Sequence, residues 1–149
     1  MTGRDEVFER IRSLLAGQRF AVLATLSGVD PYCTLVGYSE SEDCGEILFA
    51  TLRDTRKYGN ISRNSNVSIL IDDRNNDAGD LKDAEALTVL GVAGEVPPEL
   101  SGPYRTRYLD KHPYLKEFVS APDCALISVK VSRYILVSNF QNVFEYTVS

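Results

Sequence analysis

The sequence predicts a mainly β protein, an antiparallel barrel of Greek-key type with six or seven strands and two or three flanking helices. Three observations carry that prediction. Short apolar-rich segments recur along the chain, separated by turn residues and polar stretches. No internal repeat and no regular strand–helix alternation is present, so a doubly wound nucleotide fold is disfavoured. One long apolar segment, Leu87 to Val96, carries Gly91 and Gly94 in its interior, where glycines mark the bulges and bends that close a barrel. At 149 residues the chain suits one domain, residues 1–149, large enough to bury a core.

The elements follow in order. Asp5 to Ala16 reads as an amphipathic helix, with Val7, Ile11, Leu14 and Leu15 at helical spacing and Gly17 as a stop. Phe20 to Leu26 and Pro31 to Tyr38 are strands joined by Ser27-Gly28-Val29-Asp30, which is hairpin chemistry. The polar stretch Ser39 to Gly45 leads to a third strand, Glu46 to Thr51. Asp54 then caps a helix from Thr55 to about Arg63, with Tyr58 and Ile61 on one face. Gly59 inside that helix costs about 1 kcal/mol relative to alanine. Asn64-Ser65-Asn66 ends it, and Val67 to Ile71 is the fourth strand. Asp72 to Glu85 sets six acids against Arg74 and Lys82 and reads as a solvated loop. After the Leu87 to Val96 strand, Pro97-Pro98 opens a helical segment whose apolar side is Tyr104, Tyr108, Leu109 and Leu115. Cys124 to Ser138 and Asn142 to Val148 are the last strands.

Composition removes several function classes. The net charge of −5 has the wrong sign for a nucleic-acid binder, and the aromatics do not interleave with cations as an oligonucleotide-binding barrel requires. No apolar run approaches the ~18 residues of a membrane helix. Met1 to Arg12, with Asp5, Glu6 and Glu9 and no apolar centre, is not a secretory signal. Cys33, Cys44 and Cys124 are odd in number and far apart, with no CxxC pair; they read as buried free thiols of a cytoplasmic protein. There is no GxGxxG, Walker loop, GxSxG elbow or HExxH. His112 is the sole histidine. It has no second imidazole with which to share a metal, and a serine triad would require it too, so neither a metal site nor ordinary hydrolase chemistry is expected. It reads as a partly exposed residue at a helix end.

One segment carries chemistry. From Arg53 to Arg63 four cations (Arg53, Arg56, Lys57, Arg63) stand against Asp54, a local excess of positive charge in an acidic chain. The stretch Leu48 to Lys57 is a strand running into a helix N-terminus, where free N–H groups and the positive end of the dipole favour an anion. Thr55 adds a hydroxyl, Arg56 a planar fork matched to phosphate oxygens, and Lys57 a compact point charge. Cations in a first helical turn oppose the dipole, and a bound phosphate would compensate them. The plain alternative is a solvated helix start with chance basic residues, and composition alone does not separate the two.

The segment resembles the pyridoxamine 5′-phosphate oxidase-like family of FMN-binding split barrels. In that family a strand ending in aromatic-x-Thr is followed by Ser/Thr-Arg-Lys at a helix start. Phe49-Ala50-Thr51 and Thr55-Arg56-Lys57 match in type and spacing. The continuation Tyr58 to Ser68, the opening Ala24-Thr25-Leu26 with Gly28, Asp30 and Pro31, the stretch Tyr108 to Pro113 and Val137 to Glu145 are similar as well. The resemblance implies a split barrel and a homodimer with FMN at each end of the subunit interface. It implies phosphate held by Arg56, Lys57 and a hydroxyl from Thr51 or Thr55. The second strand, with Thr34, Leu35, Val36 and Gly37, would run alongside the isoalloxazine and offer backbone groups to it. The departures matter. The oxidase proper has a basic residue at each end of that strand segment, where this chain has Thr34 and Ser39. The Arg-Leu-containing C-terminal motif that helps hold the vitamin substrate is absent. FMN binding carries over; vitamin oxidation does not.

The leading expectation is therefore an FMN-dependent oxidoreductase with NADH or NADPH as a candidate donor, the flavin carrying the electron chemistry. The alternatives are a non-enzymatic FMN carrier or sensor with the same site, and a haem-handling protein of the same fold that would call on His112 for iron.

Overall fold

In the computed structural model, which describes residues 3–139 and 141–148, the first helix α1 runs Gly3–Gly17. Its apolar stripe turns Ile11, Leu14 and Leu15 into the core, with Val7 and Phe8 packed against it. β1 (Phe20–Ser27) and β2 (Asp30–Gly37) form the expected hairpin around Gly28, whose φ of +65° suits a residue without a Cβ. The period-2 alternation of a strand puts Ala21, Leu23 and Thr25 inside, opposite Val36, Thr34 and Tyr32.

The chain continues through β3 (Ser39–Glu40), β4 (Glu46–Leu52), α2 (Arg56–Arg63), β5 (Asn66–Asp72), α3 (Asp80–Asp83) and β6 (Ala86–Glu95). A 3-10 turn (Pro98–Leu100) then opens α4 (Ser101–Lys111). A second (Pro113–Leu115) precedes α5 (Lys116–Ser120), and β7 (Cys124–Ser138) and β8 (Asn142–Thr147) follow. All strand pairs are antiparallel, in the order β2-β1-β5-β6-β7-β4-β3, with β8 on β7. The two ends of that path are neighbours in sequence, joined through Tyr38, so the sheet must curl back on itself. Yet among the described residues β2 and β4 share no ladder, and the barrel is split there.

The length of β7 explains how one strand serves three neighbours. Its first half pairs β4 and its second half pairs β8 along the same edge, while β6 runs along the other. The β6–β7 register shifts at Leu90/Gly91. A Cβ on Gly91 would sit 2.5 Å from the Lys130 carbonyl oxygen, so this bend admits only glycine, as the interior glycines predicted. Gly94 keeps its register and is no bulge.

The inner core joins α1 to Leu23, Phe49, Ile69, Val89, Tyr134 and their neighbours. A second cluster, Leu48, Ala50, Val96, Tyr108, Val119 and Leu126, lies on the outer face of β4 and β7. The expected barrel class holds, with differences of detail. An eighth strand, β3, is two residues long and has no periodicity to read. Beside α1, α2 and α4 there are two helices of a single turn, α3 and α5. The acidic stretch is organised rather than open. The Asp80 carboxylate accepts N–H bonds from Asn75 and Asp77, the Asp73 carboxylate accepts the Glu85 N–H at 2.7 Å, and Arg10 pairs with Glu85. Of the three free cysteines Cys44 is buried and Cys124 partly so, but Cys33 is exposed, because it sits on the outward-facing register of an edge strand.

Candidate functional site at the start of α2

The penultimate residue of β4 is Thr51, a fully buried residue whose Oγ1 lies 2.8 Å from Thr55 Oγ1; both hydroxyls also reach the Leu52 carbonyl. The cap is Thr55 rather than Asp54. A turn from the Thr55 N–H to the Leu52 carbonyl carries the chain past Asp54 before the helix begins. Thr55 keeps extended backbone angles, and its Oγ1 accepts the Tyr58 N–H at 3.4 Å. The Arg56 and Lys57 N–H groups, at the first two helical positions, have no intrahelical acceptor and point out of the helix start.

The four cations of the segment are treated unequally. Arg53 donates to Glu95 at 2.6 Å and to the Pro122 carbonyl at 3.1 Å. Tyr58 donates to the other Glu95 oxygen at 2.7 Å. Chiefly through the Arg53 hydrogen bond, the Glu95 carboxyl is held below the usual carboxylate range. Arg63, in the last turn, donates to Asn60 Oδ1 at 3.4 Å. Arg56 and Lys57 form no ion pair among the described residues. The exposed Arg56 guanidinium instead stands 5.4 Å from the Tyr32 ring centroid, which ties the helix start to β2.

The structure thus gathers Thr51, Thr55, Arg56 and Lys57 at one junction and brings β2 to it through Tyr32. On β2 the four residues singled out earlier diverge. Val36 is buried, Leu35 is 71% exposed on the opposite face, and Thr34 has a buried Oγ1 with no hydrogen-bond partner. The Gly37 carbonyl already accepts from Tyr108 Oη at 3.0 Å. Three contributors escaped sequence reasoning. Asn60 is fully buried and donates to Thr25 Oγ1 at 3.0 Å, pinning α2 to β1. Glu95 is 42 residues from Arg53, and no local pattern announces it. Tyr32 shares its face with Thr34, a spacing of two that a reading of β2 as an alternating strand would have found.

His112 is fully buried, not partly exposed. It packs between Tyr108 and Tyr114, its Nε2 lies 2.7 Å from the Tyr38 carbonyl and its Nδ1 3.1 Å from Tyr114 Oη. A carbonyl only accepts, so Nε2 carries the hydrogen and Nδ1 accepts from the tyrosine. Burial pushes its pKa below the ordinary value. Both nitrogens are occupied, and neither is free for iron.

Residues 7–138 match the pyridoxamine 5′-phosphate oxidase family. The chain belongs to that family. As a family member it also aligns with solved structures. A heme binding protein from Mycobacterium smegmatis is 21% identical with a TM-score of 0.83, over 93% of this chain and 57% of that one. A FAD-binding protein from Mesorhizobium loti is 16% identical with a TM-score of 0.71, over 86% of this chain and 90% of that one. General Stress Protein 26 from Bacillus anthracis is 20% identical with a TM-score of 0.73, over 93% and 98%. At these identities the likeness shows the fold, and the chain spans a little over half of the mycobacterial protein. No curated protein matches the chain. No helix among the described residues of this family member is long and apolar enough to cross a membrane.

Proposed function

We propose that this protein is an FMN-binding oxidoreductase of the cytoplasm, a homodimer that holds the FMN phosphate at the start of α2. One observation carries the reading. Among the described residues, Arg56 and Lys57 in the first turn of α2 lack a carboxylate, as does Arg63 at its other end, whereas Arg53, just outside it, is neutralised by Glu95. Two unpaired cations against the positive end of a helix dipole are a standing electrostatic cost that a dianionic phosphate relieves. The free N–H groups of the first turn add donors, beside the Thr51 and Thr55 hydroxyls that now share the Leu52 carbonyl. The unpartnered Thr34 Oγ1 on β2 is one more donor or acceptor at the strand expected to meet the ring. The residues therefore fit the group. Bound FMN would supply reversible electron transfer, and the chain would position it.

The dimer has its own support. Leu35, Val22 and Leu70 form one cross-strand row on the outer face of β2, β1 and β5, and Leu35 and Leu70 are exposed, as is Phe20 beside them. An apolar row of this kind on an edge sheet is suited to a second copy. Vitamin oxidation is not part of the proposal, since Thr34 and Ser39 stand where the oxidase proper has basic residues. The haem alternative that calls on His112 finds both of its ring nitrogens already hydrogen-bonded. The absorbance spectrum of the purified protein, with flavin bands expected, tests the cofactor. Steady-state oxidation of NADH or NADPH with an added acceptor separates an oxidoreductase from a carrier with the same site. A colourless protein that gains no flavin bands on incubation with FMN would refute the reading.

A further inference from the structure

The outer cluster under α4 stops short of the end of β6, and a cavity of about 440 Å³ opens there. Its floor is the outer face of β6 and β7. Gly94 and Ser128 are cross-strand partners on that face. A Cβ on Gly94 would meet nothing within 4 Å, so the space above this part of the floor is open. Val92, Val96, Pro97, Leu100 and Tyr104 wall it.

The polar inventory is lopsided. The acceptors at the rim are already used, Glu46 by the Tyr104 hydroxyl at 2.9 Å and Glu95 by Arg53 and Tyr58. The donors are not. Ser128 is 9% exposed, lines the cavity, and its buried Oγ has no hydrogen-bond partner. Lys130, also in the lining, forms no ion pair among the described residues. An orphaned buried hydroxyl costs free energy until something bonds it. Glu46 is the cross-strand neighbour of Lys130 and offsets its charge, so the rim is close to neutral and does not offset the cost of desolvating a ligand carboxylate.

We infer that the cavity between β6, β7 and the start of α4 is a second small-molecule site, for a neutral one- or two-ring compound bearing a carbonyl oxygen. The ring fills the space over Gly94 against Leu100 and Tyr104, and the carbonyl accepts from Ser128 Oγ and Lys130 Nζ. Its volume lies within the range of small-molecule sites. The site is separate from the proposed phosphate site and does not depend on it.

Equilibrium dialysis of the full chain as purified tests this, with coumarin as the neutral carbonyl probe and coumarin-3-carboxylate as its anionic counterpart. Coumarin should bind saturably, one per chain, and more tightly than the carboxylate. Gly94→Leu should weaken it at least tenfold by filling the space. Ser128→Ala, which removes one hydrogen bond without adding bulk, should weaken it about 5- to 10-fold. Arg56→Ala should leave it unchanged, which keeps the result distinct from binding at the flavin site. Non-saturable uptake, tighter binding of the carboxylate, or full coumarin affinity in Ser128→Ala would overturn the inference. Should Gly94→Leu not fold, Gly94→Val asks the same question with less bulk.

Discussion

His112 is the residue whose surroundings depart furthest from its appearance in sequence, and its burial has a pH signature. Lys111, Arg19 and Glu40 are the charged groups that act on it, and the Tyr38 carbonyl and Tyr114 hydroxyl bond its ring. The folded pKa lies below the unfolded value of 6.5, so the unfolded chain takes up a proton first as pH falls. The stabilisation is complete above 6.5 and is lost as pH falls through the folded value. Melting temperature should therefore decline below pH 6.5 in the native chain and decline less steeply in His112→Phe. Parallel curves would show that the imidazole is not responsible. Thr55 makes a different prediction. As the N-cap of α2 its replacement by alanine should cost about 0.5–2 kcal/mol of stability by chemical denaturation. The same change at Asp54 should cost little, since Asp54 is exposed and outside the cap. That contrast was beyond sequence reasoning. Asp and Thr are both good caps, and only the turn at Leu52 decides between them.

At the scale of elements, α2 is the piece that the rest of the fold holds still. Asn60 anchors it to β1 from beneath, while Glu95 of β6 grips Tyr58 and the Arg53 that precedes it. Asn60→Leu should destabilise the protein by about 1–3 kcal/mol, because it strands the buried Thr25 hydroxyl. The acidic segment is organised internally around Asp80 and joined at its ends by Asp73 to Glu85 and by Arg10 to Glu85. Removing residues 75–83 with a short bridge should leave the melting temperature within a few degrees, whereas a collapse of folding would show that α3 packs more tightly than its exposure suggests. The long strands were legible because each presents several apolar alternations, and the Gly91 bend was legible because an interior strand glycine has few other uses. β3 was not, since two residues hold no period. The Arg53–Glu95 bond was not, since it joins residues distant in sequence, and without it the four cations of the segment look equivalent.

At the scale of the molecule, the split between β2 and β4 and the apolar row through Leu35, Val22 and Leu70 suit a second subunit. Light scattering should give a dimer of the 16.6 kDa chain, and Leu35→Lys should shift it toward monomer. What would join the split barrel, the helix start and the proposed dimer is the proposed FMN phosphate held by Arg56 and Lys57. Fluorescence titration of the apo-protein with FMN and with riboflavin tests that most directly. A hydrogen bond to a charged group contributes roughly 1.5–3 kcal/mol, so Arg56→Ala and Lys57→Ala should each weaken FMN by about 10- to 150-fold. Riboflavin, which lacks the phosphate, should barely respond. Arg63→Ala, at the far end of α2, and Arg53→Ala, whose guanidinium is already engaged, should change FMN affinity less than about threefold. Equal losses at all four cations, or equal losses of FMN and riboflavin, would contradict the account.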